Sequence, residues 1–578
     1  MERKKIGIGY EEYKRLIDDS CYYVDKTLLV RDVLEKGGMV TLFTRPRRFG
    51  KTLALSMLRT FFEAEIGSDG KPIDNSRYFS GMKIMGCGDE VLSRLGKHPV
   101  IKLSLKSAKQ NDFRTSILRL RDQIVAEFLR HDYLCGSERL STTDLQTLQD
   151  LMLPEREKNI RTAEDLQREM GRYATSLQFL SSVLARHHGR KVIVLIDEYD
   201  VPLENAYFEG FYDDIVAFIR SLFESVLKTN DALEFAVITG CLRISRESIF
   251  TGLNHLNIIS IRDDDFSEDF GFTEMETINM LRDYGIEDRI PEAKEWYDGY
   301  LFGKKEIYNP WSITVYVNAI VNKGRQFPEP YWSNTSSNSI VKDLIWQSDE
   351  ERKKELDCLV EGGVIEKKIH EDITYGDIHE SDDNLWNFLF FTGYLKKISE
   401  RKEDKYVYVT MKIPNKEIAY IYEEHIQGWF DNIVKNTDRT TFYRAVLDEN
   451  TEGMEDYLNG LLDRTISTFD SSESFYHGFL LSLLYGVPGY DPKSNREEGD
   501  GRPDIVLEPR RPRSPAILFE VKVRKKFTEM SGGIQEAFGQ LRDMRYEAGI
   551  LNDGFFGVKS YGVCFCKKSC IIEKYVAR

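Results

Sequence analysis

A loop near the start of the chain carries residues suited to holding the phosphates of a nucleotide. Gly50, Lys51 and Thr52 lie between a short apolar run at 39–43 and a segment with one apolar face at 53–62. This pattern predicts a turn from a buried strand into a helix. At such a turn, backbone N–H groups bind phosphate oxygens, the lysine neutralises the outer phosphates and the threonine hydroxyl binds Mg2+. The loop therefore predicts ATP and Mg2+ as ligands.

The loop departs from the G-x-x-x-x-G-K-[ST] pattern at its first position, where an arginine replaces the glycine. The two arginines that follow could add contacts to phosphate or could face solvent. The predicted nucleotide-binding residues of the loop are Arg45, Pro46, Arg47, Arg48, Phe49, Gly50, Lys51 and Thr52. Thr52 is also a predicted metal ligand.

A later apolar run ends in two carboxylates that could complete the nucleotide site. The run at 191–196 is continuous, as in a parallel strand covered on both faces, and it leads into Asp197 and Glu198. Asp197 is a predicted nucleotide contact and Mg2+ ligand. Glu198 is predicted to orient the attacking water as a general base. The alternative is a buried strand that ends in a solvated acidic turn.

A third apolar run, at 233–238, leads into Thr239. A polar side chain at this strand end is placed to sense the γ-phosphate, so Thr239 is predicted to contact the nucleotide. Arg243 or Arg246, which follow, could stabilise charge in the transition state, although arginines after a strand are usually surface residues.

Near the end of the chain, a second group of charged residues is suited to cutting phosphodiesters. Asp504 begins one apolar run, and Glu520 and Lys522 lie in another at 516–523. Strand alternation places Glu520 and Lys522 on one face. If the two strands pair, the carboxylates can share Mg2+, and the lysine can position water and stabilise charge on phosphate. These three residues are predicted to be catalytic, with Asp504 and Glu520 as metal ligands.

The surroundings of this group add one candidate ligand and leave one alternative open. Glu473, just before a helix predicted at 474–484, is a possible further metal ligand, whereas His477 is predicted to be structural. The alternative for the whole pattern is an ordinary charged edge strand that faces solvent.

Local charge favours a nucleic-acid substrate. Residues 496–526 hold nine Lys/Arg against six Asp/Glu, in a chain of net charge -15. Positive charge near the cut site would ease the approach of a phosphate backbone. Three arginines of that stretch, at 510, 511 and 513, lie in a proline-bearing loop where solubility is an equally good explanation.

Together these motifs resemble an AAA-ATPase-like family, found in bacteria, whose P-loop domain is followed by a PD-(D/E)XK nuclease domain. The resemblance implies ATP binding in an ATPase core related to signalling ATPases. In related nucleases the helix after the catalytic strand carries a Q-x-x-x-Y element, which Gln540 matches, whereas Tyr546 lies six residues on and departs from that spacing. The segments that carry the resemblance are residues 23–27, 45–52, 195–200, 239–250, 296–300, 308–311 and 494–504.

Composition limits the remaining possibilities. The chain has 578 residues, 41% of them hydrophobic and 30% charged, which is typical of a globular protein of three or four domains. Its eight cysteines form no C-x-x-C pair, which disfavours a zinc ribbon or a disulfide scaffold. We find no apolar run of the roughly 20 residues needed to span a bilayer and no signal peptide, and we therefore expect a cytoplasmic protein without a membrane partner.

The fold class expected from these patterns is α/β. We predict a P-loop NTPase domain with a parallel sheet at 1–268, a helical and winged-helix-like region at 269–425, a helical connector at 426–465, and a restriction-endonuclease-like α/β domain at 466–578. The winged-helix expectation rests on a predicted helix at 384–397 followed by a strand at 405–414. The aromatic stretch at 296–311 could stack bases, but packing of a lid against a core is favoured.

The leading hypothesis is therefore an ATP-binding P-loop ATPase that controls a metal-dependent nuclease acting on nucleic acid, with DNA preferred and a homo-oligomer possible. Two alternatives stay open. One is a regulatory ATP-binding protein whose nuclease fold is inactive, and the other is an ATP-driven DNA motor.

Overall fold

A computed structural model describes residues 3–67, 69–228, 230–243, 249–250, 253, 255–332, 350–370, 381–425, 438–462, 473–494, 504–511, 514–543 and 556–576. The chain divides into two compact units, Met1–Ser336 with Glu366–Ala419 and Ser337–Ile365 with Tyr420–Arg578. No helix within the described ranges is long and apolar enough to cross a membrane.

The described strands are numbered in chain order: β1 (Val40–Thr44), β2 (Val100–Ser104), β3 (Val192–Asp197), β4 (Leu233–Gly240), β5 (Leu256–Ile259), β6 (Phe272–Thr273), β7 (Tyr300–Phe302), β8 (Lys305–Tyr308), β9 (Ile365–Lys368), β10 (Lys396–Glu403), β11 (Tyr406–Lys412), β12 (Tyr490–Ser494), β13 (Ile505–Pro509), β14 (Ala516–Val523), β15 (Val558–Cys566) and β16 (Ser569–Tyr575).

The described α-helices are α1 (Tyr13–Asp18), α2 (Leu29–Lys36), α3 (Lys51–Phe62), α4 (Asp89–Leu92), α5 (Phe113–Arg130), α6 (Thr142–Met152), α7 (Ala163–Ala174), α8 (Ser176–His188), α9 (Val201–Glu209), α10 (Tyr212–Phe223), α11 (Glu274–Asp283), α12 (Ile290–Tyr297), α13 (Pro310–Lys323), α14 (Glu350–Val360), α15 (Asp382–Thr392), α16 (Thr440–Leu447), α17 (Thr451–Leu462), α18 (Glu473–Leu484) and α19 (Met530–Asp543).

The first unit is built on a parallel sheet with the strand order β2-β3-β4-β1-β5. Every residue of β1 and β3 is buried, as expected for strands covered by helices on both faces. The register pairs Phe43 with Thr239, and Ile196 with Ile238. Because parallel strands share a direction, the residues after β1, β3 and β4 lie at one edge of the sheet. The predicted parallel α/β fold of this part is therefore confirmed.

The middle of the chain supplies a small antiparallel sheet, β6-β8-β7, and the hairpin β10–β11. The helix predicted at 384–397 was too long, since α15 ends at Thr392 and β10 begins at Lys396. Gly393 explains the end, because its backbone is left-handed at φ 94° and it caps the helix. The helix is apolar and Trp386 is fully buried, so α15 is a core element of its unit.

The second unit contains a mixed sheet with the order β12-β13-β14-β15-β16. The strand pairs β12–β13, β13–β14 and β15–β16 are antiparallel, and β14–β15 is parallel. The catalytic strand predicted at 516–523 has those bounds in the structure. The mixed α/β fold predicted for this part is confirmed, whereas the division of the chain at 268, 425 and 465 stays a prediction.

The turn before β6 provides a test of how closely the first unit is packed. At Gly271, with φ 84°, an added Cβ would overlap Ile307 and lie 3.0 Å from Phe49, whereas at Gly324, with φ 65°, it would meet nothing within 4 Å. Gly324→Ala should cost only the left-handed strain of about 1–2 kcal/mol. Gly271→Ala should add an overpacking cost and reach roughly 2–5 kcal/mol. Urea unfolding midpoints measure the difference, and equal shifts for the two variants would contradict this packing.

Candidate functional site

The loop between β1 and α3 holds its lysine in a buried position. Gly50 has φ 81°, a left-handed conformation that costs glycine little, and α3 begins at the next residue. The Lys51 side chain is largely buried, and its Nζ donates to the carbonyl oxygens of Arg45 and Pro46, each at 2.8 Å. Its ammonium group is therefore held within the loop by the loop's own carbonyl oxygens. Thr52 is half-buried in the first turn of α3.

The ends of β3 and β4 bring Asp197 and Thr239 together. The Thr239 hydroxyl donates to Asp197 Oδ1 at 2.6 Å, and both side chains are buried. β4 lies between β1 and β3, so Thr239 is next to the phosphate loop on one side and to Asp197 on the other. Thr239 and Asp197, predicted from the sequence to contact the nucleotide and the metal, are therefore hydrogen-bonded to each other.

Glu198 follows Asp197 in an unusual backbone conformation. Its φ is 52°, in the left-handed region that non-glycine residues rarely adopt. Burial, and then the charge of Asp197, raises the pKa of the Glu198 carboxyl. A strained, half-buried carboxylate with a raised pKa is suited to accepting a proton from water.

A third carboxylate of this turn, Asp200, was missed in the sequence. It is buried, and its Oδ2 accepts backbone N–H groups of Cys241 at 2.6 Å and Leu242 at 3.1 Å. Asp200 therefore fixes the chain that leaves β4 against the chain that leaves β3. The acidic Asp-Glu-Tyr-Asp run at 197–200 was the available signal, but nothing in it distinguishes a ligand from an anchor.

Arg45, which replaces the first glycine of the loop pattern, has its side chain inside the protein. Its guanidinium is fully buried and donates to the carbonyl oxygens of Thr44, Ile259 and Phe266. It also lies over the Phe302 ring at 5.0 Å, and burial lowers the pKa of Arg45 to about 10. Arg45 thus ties the end of β1 to neighbouring segments, and its buried side chain does not face a nucleotide, contrary to the prediction.

Three other loop side chains also contact the rest of the first unit. Arg47 forms an ion pair with Glu204, and Arg48 stacks over the Trp311 ring at 3.9 Å with φ 68°. Phe49 packs against Tyr300 at 4.9 Å between ring centroids. The phosphate loop is therefore held by the aromatic stretch at 296–311, which packs a core as predicted from the sequence.

Glu417 is a buried carboxylate close enough to Arg48 for their charges to interact, and the sequence analysis did not identify it. It accepts hydrogen bonds from the Ser312 hydroxyl at 2.8 and 3.0 Å and from the Trp332 backbone N–H at 2.9 Å. Burial raises the pKa of Glu417 to about 7, and the positive charge of Arg48 opposes that rise.

In the second unit, the strand pairing brings the three predicted catalytic residues together. Lys522 Nζ is 3.0 Å from Glu520 Oε1 and also donates to the Val521 carbonyl at 3.0 Å. Asp504 Oδ2 accepts the Val521 backbone N–H at 2.8 Å. Glu520 and Lys522 are buried, so the alternative of a charged edge strand facing solvent is wrong.

The electrostatics of this cluster favour a cation. Burial, and then the charge of Asp504, raises the pKa of Glu520 to about 7. Glu520 Oε2 is buried without a hydrogen-bond partner. Two converging carboxylates with an unused buried oxygen fit a divalent ion, which would remove the repulsion between them. Asp504 and Glu520 are the two predicted metal ligands whose side chains the structure describes. Among the described residues, no group of three or more His, Cys, Asp or Glu could hold a metal ion.

Other predicted residues lie around the cluster or outside the description. His477 Nε2 is 2.8 Å from the Asp504 carbonyl oxygen, which fits its predicted structural role. Gln540 lies in α19, and its buried Oε1 has no hydrogen-bond partner. Predicted positions outside the described residues are the side chain of Glu473 and residues 246, 513 and 546.

The arginine loop after β13 lies at the wrong end of the sheet to serve this cluster. β13 is antiparallel to β14, so Arg510 and Arg511 are beside the start of β14, whereas Glu520 and Lys522 are near its end. Arg510 is paired with Asp491 at 2.6 Å. Of the two explanations left open by the sequence, the structure therefore favours solubility for these two arginines.

Comparison with known proteins finds family similarity in two parts of the chain. Residues 7–250 match the family described as predicted AAA-ATPase, and residues 471–575 match the PD-(D/E)XK nuclease superfamily. The chain is also 29% identical over 353 residues to a protein of Azotobacter chroococcum mcd 1 described as an uncharacterized protein in the vnfD 5′ region. That alignment covers 60% of this chain and 57% of the relative, so it spans little more than half of the relative's length. No solved structure matches.

Glu417 should make the stability of the first unit depend on pH, and the raised pKa determines the direction of that dependence. Its native pKa of about 7 lies above its ordinary value of 4.5, so the native state holds the extra proton between these values. Stability should therefore fall as the pH rises from 4.5 to 7, by up to about 3 kcal/mol. Glu417→Gln keeps an oxygen for Ser312 and should remove most of this loss. Urea midpoints at pH 5 and pH 8 measure it, and an unchanged pH dependence in the variant would contradict the assignment.

Proposed function

We propose that this chain, which joins an AAA-ATPase-like domain to a PD-(D/E)XK nuclease-superfamily domain, binds ATP and uses its nucleotide state to control metal-dependent cleavage of nucleic acid. The observation that carries the proposal is that one chain holds two buried charged clusters, one built around Lys51 and the other around Lys522. DNA is the preferred substrate, and the proposed location is the cytoplasm.

In the nucleotide site, each residue has a distinct task. Lys51 would exchange its two carbonyl partners for the outer phosphates, and the backbone N–H groups at the start of α3 would bind the remaining oxygens. Asp197 and Thr52 would hold Mg2+, which neutralises phosphate charge. Thr239, already bonded to Asp197, would report whether a γ-phosphate is present. Glu198 would accept the proton of the attacking water.

In the nuclease site, Asp504 and Glu520 would hold the divalent ion, with Glu473 as a further candidate. The ion would polarise the phosphate and acidify a bound water. Lys522 is fixed by Glu520 and the Val521 carbonyl, so its ammonium can orient the water and stabilise the charge that develops on phosphate. Asp504 is held by the Val521 N–H, which keeps one carboxylate oxygen for the ion.

Control by nucleotide is supported by the way the phosphate loop is anchored. Arg48 and Phe49 belong to the loop, yet their side chains pack on Trp311 and Tyr300 of the middle region. If ATP binding changes the conformation of the loop, these two contacts must either shift with it or oppose the change. We propose that the middle region passes this change on, as ordered segments do in other nucleotide switches.

Substitutions at each site, with one control, test the chemistry of the two sites separately. Lys51→Ala should abolish ATP binding, measured by calorimetry, whereas Lys71→Ala at an exposed lysine should leave it unchanged. Asp504→Asn and Lys522→Ala should each abolish Mg2+- or Mn2+-dependent cutting of plasmid and single-stranded DNA. Cutting that survives in both nuclease variants would refute the proposed site. No cutting by the wild type, with DNA or RNA, would instead favour a regulatory ATP-binding protein.

The motor alternative makes a different prediction about ATP hydrolysis. A translocating motor should hydrolyse ATP much faster when DNA is present, and Glu198→Gln should remove that stimulation. Equal hydrolysis rates with and without DNA would exclude the motor, and they are the expected result for a switch that responds to nucleotide.

The raised pKa of Glu520 makes metal binding release protons. With a pKa of about 7, Glu520 is mostly protonated at pH 6 and mostly ionised at pH 8. Binding of one Mn2+ should therefore release close to one proton at pH 6 and far fewer at pH 8, and the affinity should rise over that range. Calorimetry in buffers of different ionisation enthalpy measures the protons, and Asp504→Asn is the control that removes the site. Proton release that does not change with pH would contradict Glu520 as a ligand.

A further inference from the structure

Two separate basic segments converge at one end of the second unit's sheet. β14 and β15 are parallel, with Lys522 opposite Cys564 and Val523 opposite Phe565. The strands therefore end together, and the Arg524 N–H still donates to the Phe565 carbonyl at 2.9 Å. The segment after β14 is Arg-Lys-Lys-Phe at 524–527, and the turn after β15 is Lys-Lys at 567–568. Five basic side chains from distant parts of the sequence thus share one edge.

This edge is also the end of β14 that carries the proposed catalytic residues. Lys525 is three residues beyond Lys522, and Lys567 is three residues beyond its partner Cys564. At about 3.3 Å per residue, both lysines begin within roughly 10 Å of Lys522 along the strands. Arg510 and Arg511, in contrast, lie at the opposite end of β14, roughly 25 Å away by the same spacing. The basic edge is therefore the one that a phosphate backbone at the cluster would meet.

Most of the charge at this edge is available to a ligand. Arg524 pairs with Glu536, and Lys526 is 4.0 Å from Glu529. Lys525, Lys567 and Lys568 form no ion pair with any residue that the structure describes. Lys525 and Lys567 are exposed, and Lys568 is half-buried. Unneutralised ammonium groups in a chain of net charge -15 favour a polyanionic partner.

The turn at 567–568 is built at a conformational cost. Cys566 pairs with Ser569, so the two lysines form a two-residue hairpin turn. Such turns favour glycine or asparagine because they need positive φ, and Lys567 has φ 53°. A lysine in the left-handed region costs about 1–2 kcal/mol relative to an ordinary backbone. The strain is consistent with a role for the charge itself.

An exposed aromatic ring lies within the same edge. Phe527 is 66% exposed, at the start of the short 3-10 turn Phe527–Glu529 that leads into α19. Phe527 directly follows Lys525 and Lys526, so its exposed ring lies on the same short stretch of chain as their ammonium groups. It can stack on a nucleic-acid base only when that base is unpaired and its face is free.

From these observations we propose that residues 524–527 with 567–568 form a surface that binds an unpaired DNA strand, with the ammonium groups on phosphates and Phe527 stacked on a base. The proposal rests on the proposed nuclease function, for which it names the substrate as single-stranded or locally unpaired DNA. It accounts for the exposed ring, the strained lysine turn and the charge at one edge together.

Binding of labelled oligothymidylate by the full chain in EDTA tests the surface without cutting. Phe527→Ala should weaken binding roughly five- to 150-fold, and Phe527→Leu, which keeps apolar bulk but no ring, should weaken it similarly. Lys567→Ala/Lys568→Ala should weaken binding and reduce the slope of log Kd against log salt by about 1.4. The control Arg510→Ala/Arg511→Ala removes the same charge at the other end and should change little.

One further variant separates binding from folding. Lys567→Gly removes the strain of a lysine at positive φ, so the fold should be at least as stable as the wild type while DNA binding weakens.

Any of three results would overturn the proposal. They are tighter binding of duplex than of single strand, equal weakening by the Arg510/Arg511 control, and unchanged binding in the Phe527 and lysine variants. Tighter binding of oligouridylate would overturn the choice of DNA. If the wild type binds oligothymidylate but shows no cutting that depends on Asp504, the nuclease function fails and the binding surface stands.

Discussion

Each of the two candidate sites contains a buried lysine whose positive charge must be compensated by polar partners. Lys51 and Lys522 are 7% and 5% exposed, and a buried ammonium group without partners would cost several kcal/mol. The first unit meets this demand with two loop carbonyls, and the second with a carboxylate and a carbonyl. The two solutions lead to different chemistry. In the proposed function, the carbonyl partners of Lys51 would be exchanged for phosphate, whereas the carboxylate partner of Lys522 would stay and share the site with a metal.

The same constraint explains why so many side chains around the phosphate loop point inward. Arg45 and Arg48 are placed among aromatic rings and carbonyls, and Asp200 fixes the chain after β4 through two backbone N–H groups. These contacts hold the loop side chains against the rest of the first unit. They also make the loop part of a packed core. A conformational change of the loop on nucleotide binding would therefore act mainly on the aromatic stretch at 296–311.

The sequence was sufficient to predict features that depend on the local pattern of residues. It was insufficient for features that depend on contacts between residues distant in the chain. Apolar runs located β1, β3, β4 and β14, and alternation placed Glu520 beside Lys522, because both are local properties of a strand. Glu417 could not be found, since it becomes significant only when Ser312 and Trp332 reach it across the fold. The basic edge was hidden for the same reason: residues 524–527 and 567–568 come to one edge of the sheet only because β14 and β15 pair in parallel and end together. The end of α15 was placed too late because Gly393 was read as part of an apolar helix rather than as its cap.

The central claim is that occupancy of the phosphate loop controls the cluster around Lys522. The most direct measurement is the rate of Mn2+-dependent DNA cutting as a function of ATP concentration, in the wild type and in Lys51→Ala. The account predicts that ATP changes the wild-type rate, with half of the change at the dissociation constant for ATP, and leaves Lys51→Ala unaffected. A cutting rate that is independent of ATP in the wild type, or that responds equally in both proteins, would contradict it.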